Sequence, residues 1–247
     1  MKTIERSQLV INTALLILLA LIIIILTATG CVRERIEGNY DLTIEERNTP
    51  SFSEVKSGGS FRVVIIPDDA TWVEVKAESN VLPYIETWSD GTTLTVDYRN
   101  GYNIHEHYTV EVFLHTPELN KIQLSGSGRV ESGSFASNQV DVQLSGSGNI
   151  DCSFITDNLS AKVSGSGNLY LEGVAQQSNL KVSGSGKIEA LNLSQQNCLS
   201  NISGSGSIRT AVSTSLEAWI SGSGSVYYLG NPVITSHISG SGKVLKY

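Results

Sequence analysis

Residues 124–130 read Leu-Ser-Gly-Ser-Gly-Arg-Val, and the central tetrapeptide Ser-Gly-Ser-Gly returns six more times along the chain. The seven copies start at intervals of 18–20 residues, at Ser125, Ser145, Ser164, Ser183, Ser203, Ser221 and Ser239. A fixed period of this length is typical of a solenoid, in which each repeat buries its apolar face only by stacking on its neighbours.

The residues around each tetrapeptide alternate between apolar and polar. An aliphatic residue comes directly before every copy, as Leu124 does, and another comes two residues after it, as Val130 does. This period of two predicts a strand with serines facing outward and glycines facing inward. The glycines predicted to be structural are Gly126, Gly128, Gly146, Gly148, Gly165, Gly167, Gly184, Gly186, Gly204, Gly206, Gly222, Gly224, Gly240 and Gly242.

Strand repeats without intervening helical segments predict an all-β chain, a single-stranded parallel β-helix of about seven coils of 18–20 residues. Helical repeats are excluded because the period is too short and every repeat contains two glycines. Residues 50–122 lack the tetrapeptide but remain strand-like, so we expect an atypical N-terminal β cap there and the repeat β-helix over 123–247. Residues 31–49 are rich in charge and are predicted to form a tether.

The first 30 residues are predicted to be a targeting segment. Lys2 and Arg6 precede an uninterrupted apolar run over 14–26, and small residues lead to Cys31. This pattern resembles the bacterial lipoprotein signal peptide, which implies acylation of Cys31. An uncleaved spanning helix over 9–28 is the alternative, and either one would tether the chain to a membrane.

The charge and cysteine content exclude some functions. Removal of residues 1–30 takes away two of the 17 basic residues and one of the 24 acidic residues. The remaining chain has 15 basic and 23 acidic residues and a formal charge of −8. A chain this acidic is a poor candidate for nucleic-acid binding. Cys152 and Cys198 occupy different positions of the coil, so we expect two buried thiols rather than a disulfide.

The order of these parts resembles the family described as "putative auto-transporter adhesin, head GIN domain". The shared features are the lipoprotein-like start and four short segments, 52–55, 57–61, 90–94 and 116–119, followed by 122–124 running into the first tetrapeptide. The resemblance covers about residues 50–243. It implies a right-handed β-helix in an exported protein of the bacterial cell envelope.

Two clusters have the composition of a catalytic or metal site. His105-Glu106-His107, with His115 on a following strand, could supply metal ligands, but the polar surroundings favour an exposed loop, and we predict no metal or other cofactor. Serines that recur in equal contexts in seven tetrapeptides favour a structural ladder over a nucleophile, because a hydrolase needs one special serine.

Glu131 and Asp151 should be neighbours on adjacent coils, near the carboxylate spacing of retaining glycosidases. This pair is the best enzymatic candidate. Arg129 lies two residues before Glu131, however, which favours ordinary surface charge mixing and no catalytic residue.

Aromatic side chains concentrate in the last coils, at Trp219, Tyr227, Tyr228 and His237. Aromatic rings on a rigid scaffold suit a sugar or protein ligand. The same rings could instead cap the end of the core, with Lys243 and Lys246 protecting the final edge strand.

The sequence therefore predicts a non-enzymatic, lipid-anchored cell-envelope protein that binds a glycan or a protein partner. A polysaccharide-active enzyme and a membrane-anchored sensor or scaffold are the alternatives. The expected location is the periplasm or the cell surface, and the sequence makes no prediction about the oligomeric state.

Overall fold

A computed structural model of the chain describes residues 33–247, and the predicted signal peptide and Cys31 lie outside this part. The described residues form eighteen strands and one 3-10 helix, Leu82–Tyr84. The strands are β1 Glu34–Glu37, β2 Leu42–Arg47, β3 Glu54–Ser57, β4 Arg62–Pro67, β5 Trp72–Glu78, β6 Ile85–Ser89, β7 Thr93–Tyr98, β8 Tyr102–His105, β9 Glu111–Thr116, β10 Lys121–Gly126, β11 Arg129–Gly146, β12 Asn149–Gly165, β13 Asn168–Gly184, β14 Lys187–Gly204, β15 Ser207–Gly222, β16 Ser225–Leu229, β17 Val233–Gly240 and β18 Lys243–Lys246.

The predicted solenoid is confirmed. Strands β11 to β15 each run from one tetrapeptide to the next and pair in parallel with the strand one coil away. Equivalent residues are in register, so that Ser145 lies opposite Ser164 and Leu144 opposite Val163. The segments before and after the tetrapeptides belong to one sheet and form two faces of the solenoid, and the aliphatic positions that flank the tetrapeptides line one continuous core, with Ile238 of the last coil left exposed.

The tetrapeptide forms a corner rather than a continuous strand. Each strand ends at the first glycine and the next begins after the second. The second glycine faces inward as predicted and is buried in six of the seven copies. The prediction is wrong for the first glycine, which is half-exposed or exposed in every copy because it lies at the turn of the corner. The first glycine has a positive φ, which is +125° at Gly146. A β-carbon on Gly146 would lie 2.5 Å from the carbonyl oxygen of Gly126. Backbone conformation and the close approach of the neighbouring coil therefore both require glycine here.

The segment before the repeats continues both faces of the solenoid. β3 pairs in parallel with β10, and β4 pairs in parallel with β11, so residues 54–67 form a coil without the tetrapeptide. This coil pairs in parallel with β7 and β9 on its other side, and beyond these two strands the pairing becomes antiparallel, between β5 and β9 and between β6 and β7.

The predicted tether over residues 31–49 is not a free linker where the structure describes it. β2 pairs antiparallel with β5 and forms the outer strand of its sheet. Arg47 of β2 is held by Glu45 at 2.8 Å and donates hydrogen bonds to the carbonyl oxygens of Leu82 and Ile85. The charges that indicate a solvated linker in the sequence belong here to a strand that covers the end of the core.

The described residues fall into two contact units. One comprises residues 36–99 and 104–247 and contains the whole solenoid, and the other includes residues 33–35 and 100–103. Within residues 33–247 we find no helix with the length and apolarity needed to cross a membrane.

Candidate ligand-binding groove

The histidines of the proposed metal cluster have separate partners. The His107 ring lies 3.1 Å from a carboxylate oxygen of Glu78 and stacks on Tyr40. The His115 ring lies 2.9 Å from Asp68 and stacks on Trp72. Within residues 33–247, no group of three or more histidine, cysteine or acidic side chains is arranged to hold a metal ion.

Glu131 and Asp151 are in register on neighbouring coils, as the repeat spacing predicts. Arg129 lies between them, with its guanidinium 2.6 Å from Glu131 and 2.5 Å from Asp151. Arg62 adds a second guanidinium 2.8 Å from Glu131 and also pairs with Glu111. The carboxylates are therefore members of an ion-pair ladder in which each already has a cationic partner.

The protonation of this ladder follows from its contacts. Hydrogen bonds from Lys76 and Arg62 lower the pKa of Glu111. Burial raises the pKa of Asp151, although the positive charge of Arg129 acts to lower it. A glycosidase requires two carboxyl groups that flank the same sugar bond, whereas Arg129 occupies the space between this pair.

Trp219 and His237 form the most prominent aromatic feature of the last coils. They are in register on β15 and β17, and their rings stack with a centroid distance of 3.9 Å and an interplanar angle of 21°. The indole nitrogen of Trp219 donates to a carboxylate oxygen of Glu217 at 2.7 Å, which fixes the ring orientation. Although His237 stacks on the indole, 44% of the Trp219 surface stays exposed.

These two rings border a shallow groove of about 580 Å³, which we call the Trp219 groove. One side carries a column of long side chains, and the other carries the first serines of three tetrapeptides. The column consists of Lys181, Asn201, Trp219 and His237, and the serines are Ser203, Ser221 and Ser239. The groove thus combines an aromatic surface, a cation, an amide and hydroxyl groups, which are the groups that orient small polar ligands.

Tyr227 and Tyr228 do not line this groove. Tyr227 follows the corner and lies in register with Arg209, whose guanidinium is 5.5 Å from the Tyr227 ring centroid. Tyr228 is partly buried against the core. Of the four predicted ligand-binding residues, the structure brings together Trp219 and His237, and it gives Tyr228 a packing role.

Lys181 and the groove serines were missed as candidate binding residues. The repeat does indicate that Lys181 lies on the same surface as Trp219, because both residues come two positions before a tetrapeptide. Equal positions in neighbouring coils lie in one column, so each coil contributes one side chain to the groove wall.

The interior contains a polar cluster that the sequence did not reveal. Ser178 donates a hydrogen bond to Gln195, and Gln195 donates one to Thr210, with all three side chains buried. The expected pair of buried free thiols is confirmed, and burial raises the pKa of both Cys152 and Cys198. The hydrogen bonds satisfy the buried hydroxyl and amide groups, which explains how the core tolerates them.

Comparison with known families identifies one match. The model of the family described as "Putative auto-transporter adhesin, head GIN domain" matches residues 51–232. No curated protein matches the chain.

Several solved structures share the fold. A putative adhesin from Bacteroides fragilis is 23% identical, with a TM-score of 0.82 over 86% of this chain and 100% of that one. A putative adhesin from Parabacteroides merdae is 21% identical, with a TM-score of 0.71 over 87% and 99% of the two chains. A putative lipid binding protein from Parabacteroides distasonis is 24% identical, with a TM-score of 0.69 over 87% and 100%.

Proposed function

The chain belongs to the family described as "Putative auto-transporter adhesin, head GIN domain", and from this premise we propose that it is a non-enzymatic envelope protein that binds an external ligand. The Trp219 groove carries the proposal. It presents an exposed aromatic side chain on a scaffold of in-register strands, where the backbone cannot move without disrupting its neighbours. Such a surface loses little conformational entropy on binding.

The proposed location is the outer side of a membrane, with the chain held by its N-terminus. The apolar run over 14–26 and the small residues before Cys31 support a lipid anchor, and a spanning helix over 9–28 would have the same effect. Either anchor would leave the solenoid on the outer side of the membrane, where a binding protein can reach external glycans or proteins.

A polysaccharide-active enzyme is the competing function. Its support is the in-register pair Glu131 and Asp151. Against it stands Arg129, which holds both carboxylates and would have to leave before either could serve as acid, base or nucleophile. The same ladder continues through Arg62 and Glu111, as expected for surface ion pairs that support a sheet.

Binding and product analysis together test the proposal. The full-length chain, purified in mild detergent, is incubated with a panel of polysaccharides and extracellular-matrix proteins. We expect saturable binding of at least one ligand and no release of shorter glycans. Glycan cleavage that disappears in Glu131→Gln or Asp151→Asn would establish the enzyme instead. Failure of every ligand in the panel to bind would count against an adhesin-like role.

A further inference from the structure

The column that lines the Trp219 groove carries an excess of positive charge. Extended along the solenoid by strand register, this column contains Lys56, Gln123, Gln143, Lys162, Lys181, Asn201, Trp219 and His237. Three of its members are lysines and none is acidic, although the whole chain has 24 acidic and only 17 basic residues. The groove therefore lies at one end of a basic column on an acidic protein.

Two lysines of this column differ from three arginines on the neighbouring face of the solenoid. Arg62, Arg129 and Arg209 are each paired with a carboxylate at 2.5–2.8 Å. Lys162 and Lys181 are exposed, and no carboxylate within residues 33–247 pairs with either of them. Their ammonium groups are thus available to an anion supplied by a ligand.

The nearby acidic side chain does not cancel this charge in the groove. Glu217 lies two residues before Trp219, and one of its oxygens accepts the indole N–H. That hydrogen bond ties Glu217 to the aromatic ring. The other polar groups that line the groove are the ammonium of Lys181, the amide of Asn201, the imidazole of His237 and serine hydroxyls.

We propose that the Trp219 groove binds an acidic oligosaccharide. The exposed indole of Trp219 contacts the apolar C–H face of one sugar ring, and Lys181 binds the anionic group of another. Ser221 and Ser239 exchange hydrogen bonds with sugar hydroxyls. Two coils separate Lys181 from Trp219, a distance of roughly 10 Å from two inter-strand spacings. The ligand therefore needs at least two sugar rings to reach both.

This inference rests on the proposed function and specifies its ligand. A protein ligand is disfavoured because the groove is shallow and its exposed large apolar side chains are only Trp219 and Ile238, whereas protein interfaces centre on larger apolar clusters. A sugar ring matches one indole in size and supplies the hydroxyls that the serine column can bind.

The test uses the full-length chain in detergent with two probes, trigalacturonate and its methyl ester, in which each carboxylate is replaced by a neutral ester. Binding is measured by calorimetry at low and high salt. We expect the acid to bind and the ester to bind more weakly, with the difference shrinking as salt screens the ion pair. Trp219→Ala should weaken binding of the acid by about tenfold. Lys181→Met should weaken it by up to about fivefold and remove the preference over the ester.

Two matched variants serve as controls. Trp88→Ala removes an indole that is 54% exposed on β6, outside the groove. Lys187→Met removes an exposed lysine that follows a tetrapeptide and lies outside the groove. Both should bind like the wild-type chain, and circular dichroism should show that all four variants keep the strand signal.

Four results would overturn the inference. Unchanged binding in Trp219→Ala would place the site elsewhere, and equal binding of acid and ester would remove the role of Lys181. If neither probe binds, an acidic sugar is rejected as the ligand. A protein ligand whose binding is lost in Trp219→Ala would also reject an acidic sugar. None of these results decides the proposed function, which requires only that some ligand in the wider panel binds without cleavage.

Discussion

At the scale of the residue, the glycines and the serines of the tetrapeptide have different roles. The first glycine turns the chain through a left-handed conformation, and the second lets the corners of adjacent coils approach within van der Waals distance. The serines stay outside in register, where Ser221 and Ser239 line the Trp219 groove. The backbone therefore depends on the glycines, whereas the serines determine what the surface offers to a ligand.

We expect Gly146→Ala to lower the free energy of unfolding by about 1–3 kcal/mol. Its β-carbon would meet the carbonyl oxygen of Gly126 at 2.5 Å in addition to adopting an unfavourable φ. Gly91→Ala is the matched control, because Gly91 has a φ of +94° but no atom within 4 Å of a β-carbon. Urea unfolding followed by circular dichroism measures both variants. Equal losses would show that backbone strain alone, and not coil contact, makes glycine necessary.

At the scale of the element, buried Glu78 fastens the segment before β2 to the body of the domain. Its carboxylate accepts hydrogen bonds from the backbone N–H groups of Tyr40 at 2.6 Å and His107 at 2.8 Å. The His107 ring contacts the same carboxylate and stacks on Tyr40. Burial acts to raise the pKa of Glu78, but these hydrogen bonds outweigh it and the pKa lies below its usual value.

The pH dependence follows from this lowered pKa. Glu78 stabilises the fold above the ordinary glutamate pKa of about 4.5, and this contribution is lost as the pH falls through the lower folded-state value. We expect Glu78→Gln to lower the free energy of unfolding at pH 7 by about 1–3 kcal/mol. The difference from wild type should shrink between pH 4.5 and more acidic conditions.

Urea unfolding at a series of pH values measures this effect. Glu46→Gln is the control, because Glu46 is an exposed glutamate of β2 and its loss should leave the stability curve nearly unchanged. A pH-independent difference between Glu78→Gln and wild type would contradict a role for the ionised carboxylate.

At the scale of the whole molecule, the coils are nearly interchangeable because each contacts only its neighbours in the stack. Every inter-coil pair from β11 to β15 repeats the same in-register pattern at the tetrapeptide. The local irregularities lie between tetrapeptides, at register shifts such as the one between Ala190 and Ser194.

Deletion of residues 164–182 removes one full period and joins Val163 to Ser183. We expect this variant to fold, because Val163 and Val182 are equivalent positions of adjacent coils. The free energy of unfolding should fall by about 1–3 kcal/mol, the share of one coil. The strand signal per residue in circular dichroism should not change.

Deletion of residues 164–172 removes about half a coil and is the contrasting variant. It would bring residues of one face of the solenoid opposite residues of the other and reverse the inward and outward positions. This variant should lose its cooperative unfolding transition. Equal stability of the two deletion variants would contradict stacking by equivalent positions.

The sequence by itself determined the solenoid, its coil length and the inward and outward sides of each repeat. These properties depend on local alternation and on a fixed period, and both can be read from residues such as Leu124 and Val130. It also placed Glu131 beside Asp151 and Trp219 beside His237, since equal positions in adjacent coils become neighbours.

Tertiary structure decided which of these neighbours can act together. Trp219 and Tyr227 are close in sequence, yet the corner at Gly222 places them on different faces of the solenoid, and only Trp219 lines the groove. Likewise, β2 covers the end of the core although its sequence is charged. The physical reason is the same in both cases. The turn of the backbone and the pairing of distant strands determine which residues a side chain contacts, and the residues next to it in the sequence encode neither the turn nor the pairing.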